Sequence, residues 1–128
     1  MTDSAAAGTA FATGNKTYNN AISVSNNEVA KPFASVIEAS IKAGKATGLV
    51  TTDNINGATP SVYATHVRLR SNQNAIASQY LDSGVNVLFG GGKTNFVTKE
   101  EKKESARINP SLPILKLRVI RRHMIKAV

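Results

Sequence analysis

The chain has 128 residues, a formal net charge of +8 and no cysteine, and its length allows one domain at most. The lack of cysteine excludes a disulfide framework, a thiol nucleophile and a cysteine-based zinc site. No apolar run reaches the ~20 residues that span a bilayer, and the first residues lack the basic and then apolar pattern of a secretory signal.

The first predicted element is a short helix over Ser4–Thr13, built from small residues and ended by Gly14. Asp3 and Ser4 stand at its start, where N-capping is the ordinary interpretation of both residues. The free N–H groups and positive dipole of a helix N-terminus also suit phosphate or another anion. Residues 16–27 are rich in Asn and are expected to form a loop with short extended pieces.

A second helix is expected to begin around Pro32, which suits a first helical turn, and to stop at Gly44. The apolar residues that recur on it at helical spacing are Phe33, Val36, Ile37 and Ile41. Residues 49–52 form a short β-branched run that is typical of a buried strand.

Thr59 and Pro60 are expected to open a third helix that also carries Val62, Tyr63 and His66. A fourth helix is predicted over residues 74–81, followed by a second buried strand over residues 85–89. Helices that alternate with short apolar strands predict the α/β class, with helices flanking a parallel sheet. Two strands are too few for an independent sheet of ordinary size, so the domain is expected to be incomplete.

Positions 1–9 resemble the active-site signature of the alkaline phosphatase family, which reads Val or Ile, any residue, Asp, Ser, three small residues, Gly or Ala, and Thr. Only Met1 departs from this pattern. Further segments resemble family motifs and follow in family order: ATGNKTYNNA at 12–21, GKATGLVTT at 44–52, ATP at 58–60, HV at 66–67 and VLFGGG at 87–92. The resemblance covers roughly residues 2–97 and implies part of a three-layer α/β/α domain.

The resemblance implies phosphate monoester hydrolysis through a phosphoserine intermediate, with zinc and magnesium as cofactors. Ser4 matches the nucleophile and a zinc ligand, and Asp3 matches the residue that orients the phosphate-binding arginine. That arginine aligns with Arg70, whereas Arg68 is the weaker candidate. Thr59 matches a magnesium ligand. By themselves these residues fit simpler roles: solvated charges for the arginines and a helix cap for Thr59.

Other family features are missing or altered in this sequence. Gly57 stands where relatives often have Asp or His beside the third metal, and the remaining Asp, Glu and His ligands fall outside the matching region. His66 matches a family histidine outside the metal shell and is interpreted as structural. The chain is therefore expected to be an internal fragment that is inactive by itself. GGGKT at 90–94 resembles the end of a P-loop, but Val87 replaces the first required glycine.

Charge is distributed unevenly along the chain. Residues 1–92 hold 6 Lys or Arg against 5 Asp or Glu, whereas residues 93–128 hold 10 against 3. We therefore expect a partial phosphatase domain over 1–97 and a divergent basic tail over 98–128, either disordered or the product of a frameshift. A solvated strand or an anion-binding arm are the alternatives for the tail. Pro110 and Pro113 break any long helix there, and base-stacking aromatics are lacking in this stretch, so nucleic acid is an unlikely partner.

The resemblance also implies a phosphate monoester substrate, frequent homodimerisation and a periplasmic or extracellular location for the parent protein. A fragment of such a protein would lack the secretory signal, so the location of this chain stays open. Two rival functions remain: a small basic module that binds phosphate or nucleic acid, and a non-functional gene remnant.

Overall fold

The computed structural model describes residues 1–96. Its elements in chain order are α1 (Ser4–Thr13), α2 (Val36–Lys42), β1 (Gly48–Asn54), α3 (Ala58–Ser61), α4 (Gln73–Asp82), β2 (Val87–Gly91) and a 3-10 turn at Lys93–Asn95. The predicted tail over 98–128 lies outside the described residues, so its proposed character stays a prediction.

The two strands pair in parallel. Their register runs from Gly48 opposite Val87 to Val50 opposite Phe89, and an irregularity separates this stretch from the pair Asn54 and Gly91. Parallel pairing follows because the chain crosses over through α3 and α4 between the strands. This arrangement confirms the predicted α/β class with a partial parallel sheet.

The second strand lies two residues later than predicted, because it includes two glycines. A side chain at Gly90 would place its Cβ 2.8 Å from Cγ2 of Thr51 and 3.1 Å from the carbonyl oxygen of Asp53. Glycine is thus needed where β2 passes β1 closely. The spacing of apolar residues in the sequence does not reveal this need for glycine in β2.

Local capping chemistry sets the ends of α1 and α2. The Asp3 side chain accepts a hydrogen bond from the Ala6 N–H and caps α1, and Gly14 ends that helix at a φ of 73°. Ser35 and Glu38 form a reciprocal capping box at the start of α2. The expectation that Pro32 opens α2 is wrong. Pro32 instead pairs with Val24 in an isolated antiparallel bridge, and the capping box sets the start at Val36.

The third helix is shorter than expected, and His66 does not lie on it. Beyond Ser61 the backbone hydrogen bonds join residues three apart: the Tyr63 N–H donates to the Pro60 carbonyl, and the Ala64 N–H donates to the Ser61 carbonyl. The hydroxyl of Thr65 also donates to the Ser61 carbonyl at 2.9 Å. Such local bonds compete with regular helix extension.

The core lies between α1, α3, α4 and the sheet. Its largest fully buried apolar side chains are Ile22, Ile55, Ile76, Leu88 and Val62. Tyr80 closes one side of it, and its hydroxyl donates to the Ile55 carbonyl at 2.9 Å. Among the described residues, the helices are all too short to cross a bilayer.

Candidate functional site

The start of α1 places Ser4 where the helix dipole is positive. Ser4 is the first helical residue and is exposed, while Ala5 and Ala6 behind it are buried. Oδ1 of Asp3 accepts from the Ala6 N–H at 2.9 Å, so the capping interpretation of Asp3 is confirmed. The exposed serine therefore stands at a helix N-terminus, a location that favours negative charge.

Arg70 lies against this helix start although it is 66 positions later in the chain than Ser4. Its Nη1 donates to the Ser4 Oγ at 2.6 Å and is 3.5 Å from Oδ2 of Asp3. The Arg70 side chain is 37% exposed and the Asp3 side chain 24%. The guanidinium is consequently fixed at the site and still accessible to a ligand.

Two connections bring Arg70 to α1. Ile22 and Val67 exchange reciprocal backbone hydrogen bonds of 2.9 and 3.0 Å, which anchors the segment before Arg70. The Asn20 carbonyl then accepts from the Arg70 N–H at 2.8 Å. Asn20 also donates its own N–H to Oδ2 of Asp3 at 3.1 Å. The Asn-rich pattern of this region predicts only a loop and does not single out Asn20, although the tolerance of Asn for left-handed turn conformations is a signal for it.

The groups around the Asp3 carboxyl favour its ionised form. Burial is the largest influence on its pKa and acts to raise it, but the N–H groups of Ala6, Asn20 and Ala5 and the Arg70 side chain together outweigh burial. The net result is a pKa below the ordinary value for Asp. Asp3 therefore presents a negative charge to Arg70 at neutral pH.

The other candidates, Arg68 and Thr59, make no hydrogen bond to this group within residues 1–96. The Arg68 guanidinium donates to the Glu28 carbonyl, so it serves a different loop. Thr59 is exposed on α3, and within residues 1–96 no hydrogen bond joins it to Asp3, Ser4 or Arg70. The N-cap of α3 is Gly57, which offers no side-chain cap. The simple interpretation of Thr59 as a helix cap is therefore wrong.

The His66 ring lies between two oxygen acceptors. Its Nδ1 is 2.9 Å from the Ser23 carbonyl oxygen, and its Nε2 is 2.9 Å from Oε1 of Glu38. The His66 backbone exchanges two further bonds with the amide of Gln79. These contacts connect α2 and α4 to the segment that leads to Arg70.

A metal centre needs several converging ligands. Across the described residues, no group of three His, Cys, Asp or Glu side chains converges on one point. The hydroxyls of Ser4 and Thr59 could each supply one ligand. The described part of the chain therefore does not by itself fit a zinc or magnesium centre.

A serine at a helix start, contacted by an arginine on an α/β scaffold, defines a class of site suited to phosphate chemistry. Comparison with known proteins extends this conclusion. The family model for alkaline phosphatase matches residues 1–110. The chain therefore belongs to the alkaline phosphatase family, which confirms the resemblance seen in its motifs.

Individual relatives agree with this assignment. Alkaline phosphatase 4 of Bacillus subtilis is 50% identical over 106 residues, which cover 78% of this chain and 23% of that protein. The alkaline phosphatase of Schizosaccharomyces pombe is 42% identical over 104 residues, covering 77% of this chain and 19% of that protein.

Solved structures show the same likeness. The cold-active alkaline phosphatase of a psychrophilic Shewanella has a TM-score of 0.72 at 40% identity, covering 84% of this chain and 26% of its own. The enzyme from the Antarctic bacterium TAB5 has a TM-score of 0.73 at 34% identity, covering 79% and 29%. A variant of that enzyme is described with Mg bound. This chain thus spans about a quarter of the length of these relatives, consistent with an incomplete α/β domain.

Proposed function

We propose that the chain carries the nucleophile segment of a phosphatase that hydrolyses phosphate monoesters through a phosphoserine at Ser4. The observation that carries the proposal is the 2.6 Å contact between Arg70 Nη1 and Ser4 Oγ beside the Asp3 carboxylate. It rests also on membership of the alkaline phosphatase family.

The reaction requires two displacements at phosphorus. Oγ of Ser4 forms a bond to phosphorus while the bond from phosphorus to the ester oxygen breaks, and the alcohol leaves with a proton. Water then displaces Ser4 and releases inorganic phosphate. The Arg70 guanidinium suits both steps, because its planar fork binds two phosphate oxygens and offsets their charge.

Asp3 has an orienting role in this proposal. It caps α1 through one carboxylate oxygen and lies near Arg70 through the other. The carboxylate thereby restrains the guanidinium in the direction of Ser4, and a preorganised donor loses less entropy when phosphate arrives.

The family implies zinc at Ser4 and magnesium at Thr59, and a pair of zinc ions would supply activation of the nucleophile and stabilisation of the leaving group. Each such effect is worth several kcal/mol, and about 1.4 kcal/mol is a tenfold change in rate. Residues 1–96 offer only one hydroxyl for each ion and no cluster of His, Asp or Glu. We therefore propose that the 128-residue chain alone binds phosphate but does not turn esters over.

By the same family argument, we assign to the parent protein a phosphate monoester substrate, a homodimeric assembly and a location in the periplasm or outside the cell. The rival binding module predicts salt-sensitive binding to nucleic acid that disappears when residues 99–128 are deleted. A gene remnant predicts neither turnover nor phosphate binding.

The test is binding of inorganic phosphate to the full chain by isothermal titration calorimetry. Arg70→Ala is expected to weaken binding at least tenfold, since it removes the charged donor beside Ser4. Arg68→Ala is the matched control, because it removes the same group from a side chain that contacts Glu28 instead. Equal losses in the two variants would contradict the assignment of Arg70.

Turnover is measured separately with p-nitrophenyl phosphate at alkaline pH, with zinc and magnesium added, on the wild type and Ser4→Ala. No turnover is expected from either protein. Turnover that Ser4→Ala abolishes would show that the metal site is completed, and would refute the inactivity of the isolated chain.

A further inference from the structure

A tight turn at residues 18–21 lies between α1 and the Arg70 segment. The Ala21 N–H donates to the Tyr18 carbonyl at 3.2 Å and closes the turn. Within it, Asn20 has a φ of 72°, in the left-handed region that few residues other than glycine occupy. Asn is among the residues that tolerate this conformation best.

Both backbone polar groups of Asn20 serve the candidate site. Its N–H donates to Oδ2 of Asp3 at 3.1 Å, and its carbonyl accepts from the Arg70 N–H at 2.8 Å. Asn20 thus hydrogen-bonds both to the Asp3 carboxylate, which lies near the Arg70 guanidinium, and to the backbone of Arg70 itself. The left-handed φ sets the direction of both groups, because rotating the backbone at Asn20 turns its N–H relative to its carbonyl.

The neighbouring Asn19 contributes through its side chain. Its Oδ1 accepts from the Asp3 N–H at 3.2 Å, and its Nδ2 donates to the Met1 carbonyl at 3.2 Å. Asp3 is therefore held at its backbone by Asn19 and at its carboxylate by Asn20. Asp3 is the residue immediately before Ser4, the nucleophile candidate.

We infer that Asn19 and Asn20 are positioning residues, which keep Asp3 and Arg70 in register so that the guanidinium meets the Ser4 hydroxyl. This inference rests on the proposed function for its consequence in phosphate binding. Neither residue needs to touch phosphate. The two act through different chemistry, Asn19 through its amide and Asn20 through its backbone conformation.

That difference predicts a distinct pattern of variants in the full chain. Asn20→Val is expected to weaken binding of inorganic phosphate at least tenfold, because a β-branched residue resists a positive φ. Asn20→Gly is expected to rescue binding to within about twofold of the wild type, since glycine adopts this φ freely and retains both backbone groups. Asn19→Ala is expected to weaken binding about three- to tenfold through loss of the amide.

Two matched controls separate positioning from general strain. Ala30 also has a positive φ, of 48°, in a different loop, so Ala30→Val imposes comparable backbone strain there. Asn15→Ala removes an exposed amide that bonds to Thr13 at the other end of α1. Both controls are expected to leave phosphate affinity within twofold of the wild type.

A second readout keeps the inference separate from the proposed function. The Nε–H signal of Arg70, assigned by NMR without phosphate, is expected to be dispersed in the wild type and Asn20→Gly. In Asn20→Val it is expected to move to the random-coil position. If the wild type does not bind phosphate, the proposed function fails, but this NMR pattern still supports positioning. An unchanged Arg70 signal and unchanged affinity in Asn20→Val, or equal losses in Asn20→Val and Asn20→Gly, would overturn the inference.

Discussion

Asp3 has two tasks at the start of α1. One carboxylate oxygen caps α1, and the other receives the Asn20 N–H and lies near the Arg70 guanidinium. Substitution therefore disturbs helix initiation and site geometry together. Replacing Asp3 with Asn separates the two tasks, since Asn caps helices about as well as Asp but carries no charge.

Asp3→Asn tests the contribution of charge through its pH dependence. The pKa of Asp3 is lower in the folded chain than its ordinary value, so the unfolded chain takes up the proton first as pH falls. The carboxylate accordingly stabilises the fold at neutral pH, and this contribution is lost as pH falls from the ordinary value through the folded pKa. We expect the free energy of unfolding, from urea titrations, to fall more steeply with acid in the wild type than in Asp3→Asn.

Glu38 is a second carboxylate whose charge can be tested in the same urea titrations. Burial acts most strongly on its pKa and raises it, but hydrogen bonds from His66 and Ser35 outweigh burial and leave the pKa below the ordinary value. Glu38→Gln should therefore also make the free energy of unfolding fall less steeply with acid, and the double variant should reduce this slope further. A slope in Asp3→Asn as steep as that of the wild type would show that the Asp3 charge does not contribute.

At the scale of elements, the contact of α1 with α3 depends on the absence of a side chain. Gly8 faces Val62, and a Cβ at Gly8 would lie 3.1 Å from Val62 Cγ2 and 3.3 Å from Cγ1. Val62 is fully buried, so it has little room to move. The small residues of the signature thus allow the helix that carries Ser4 to pack closely on its neighbour.

Gly8→Ala tests this close packing against helix propensity. Alanine favours a helix by about 1 kcal/mol over glycine, whereas overpacking a core contact costs about 1–3 kcal/mol. We expect net destabilisation of about 1 kcal/mol, measured by urea denaturation. Adding Val62→Ala should make the Gly8→Ala change neutral or favourable, since the obstructing methyl groups are gone. A stabilised Gly8→Ala single variant would refute the packing argument.

For the whole molecule, the sheet leaves apolar side chains uncovered. Val50 and Phe89 are register partners on one face of the sheet and are 76% and 39% exposed. Within residues 1–96, β1 and β2 pair only with each other, so each has one open edge. Exposed apolar patches and open strand edges promote association.

We therefore expect the full chain to self-associate as its concentration rises, measured by light scattering. Val50→Lys should reduce the association, because it places a charge on the uncovered face. Val36→Lys is the matched control on α2, outside the sheet, where the side chain is 56% exposed. An equal effect of both variants would indicate a general response to charge, and no association of the wild type would contradict the prediction.

How far the sequence predicts this molecule depends on the range of the interaction concerned. The start and end of α1 were predicted correctly, because a capping Asp and a glycine at positive φ act within a few residues. The early start of α2 at Pro32 and the long α3 were wrong. Pairing with Val24 and hydrogen bonds around Ser61 decided those regions, and apolar spacing does not encode them.

The sequence by itself determined the α/β class, the order of the elements and the family, because periodicity, caps and ordered motifs are all written in local stretches. Only the tertiary structure decided that Arg70 meets Ser4 while Arg68 contacts Glu28. It also placed the turn at Asn19 and Asn20 between Asp3 and Arg70. These contacts join segments up to 66 residues apart, and they form only when the bridge of Ile22 with Val67 and the buried core bring those segments together.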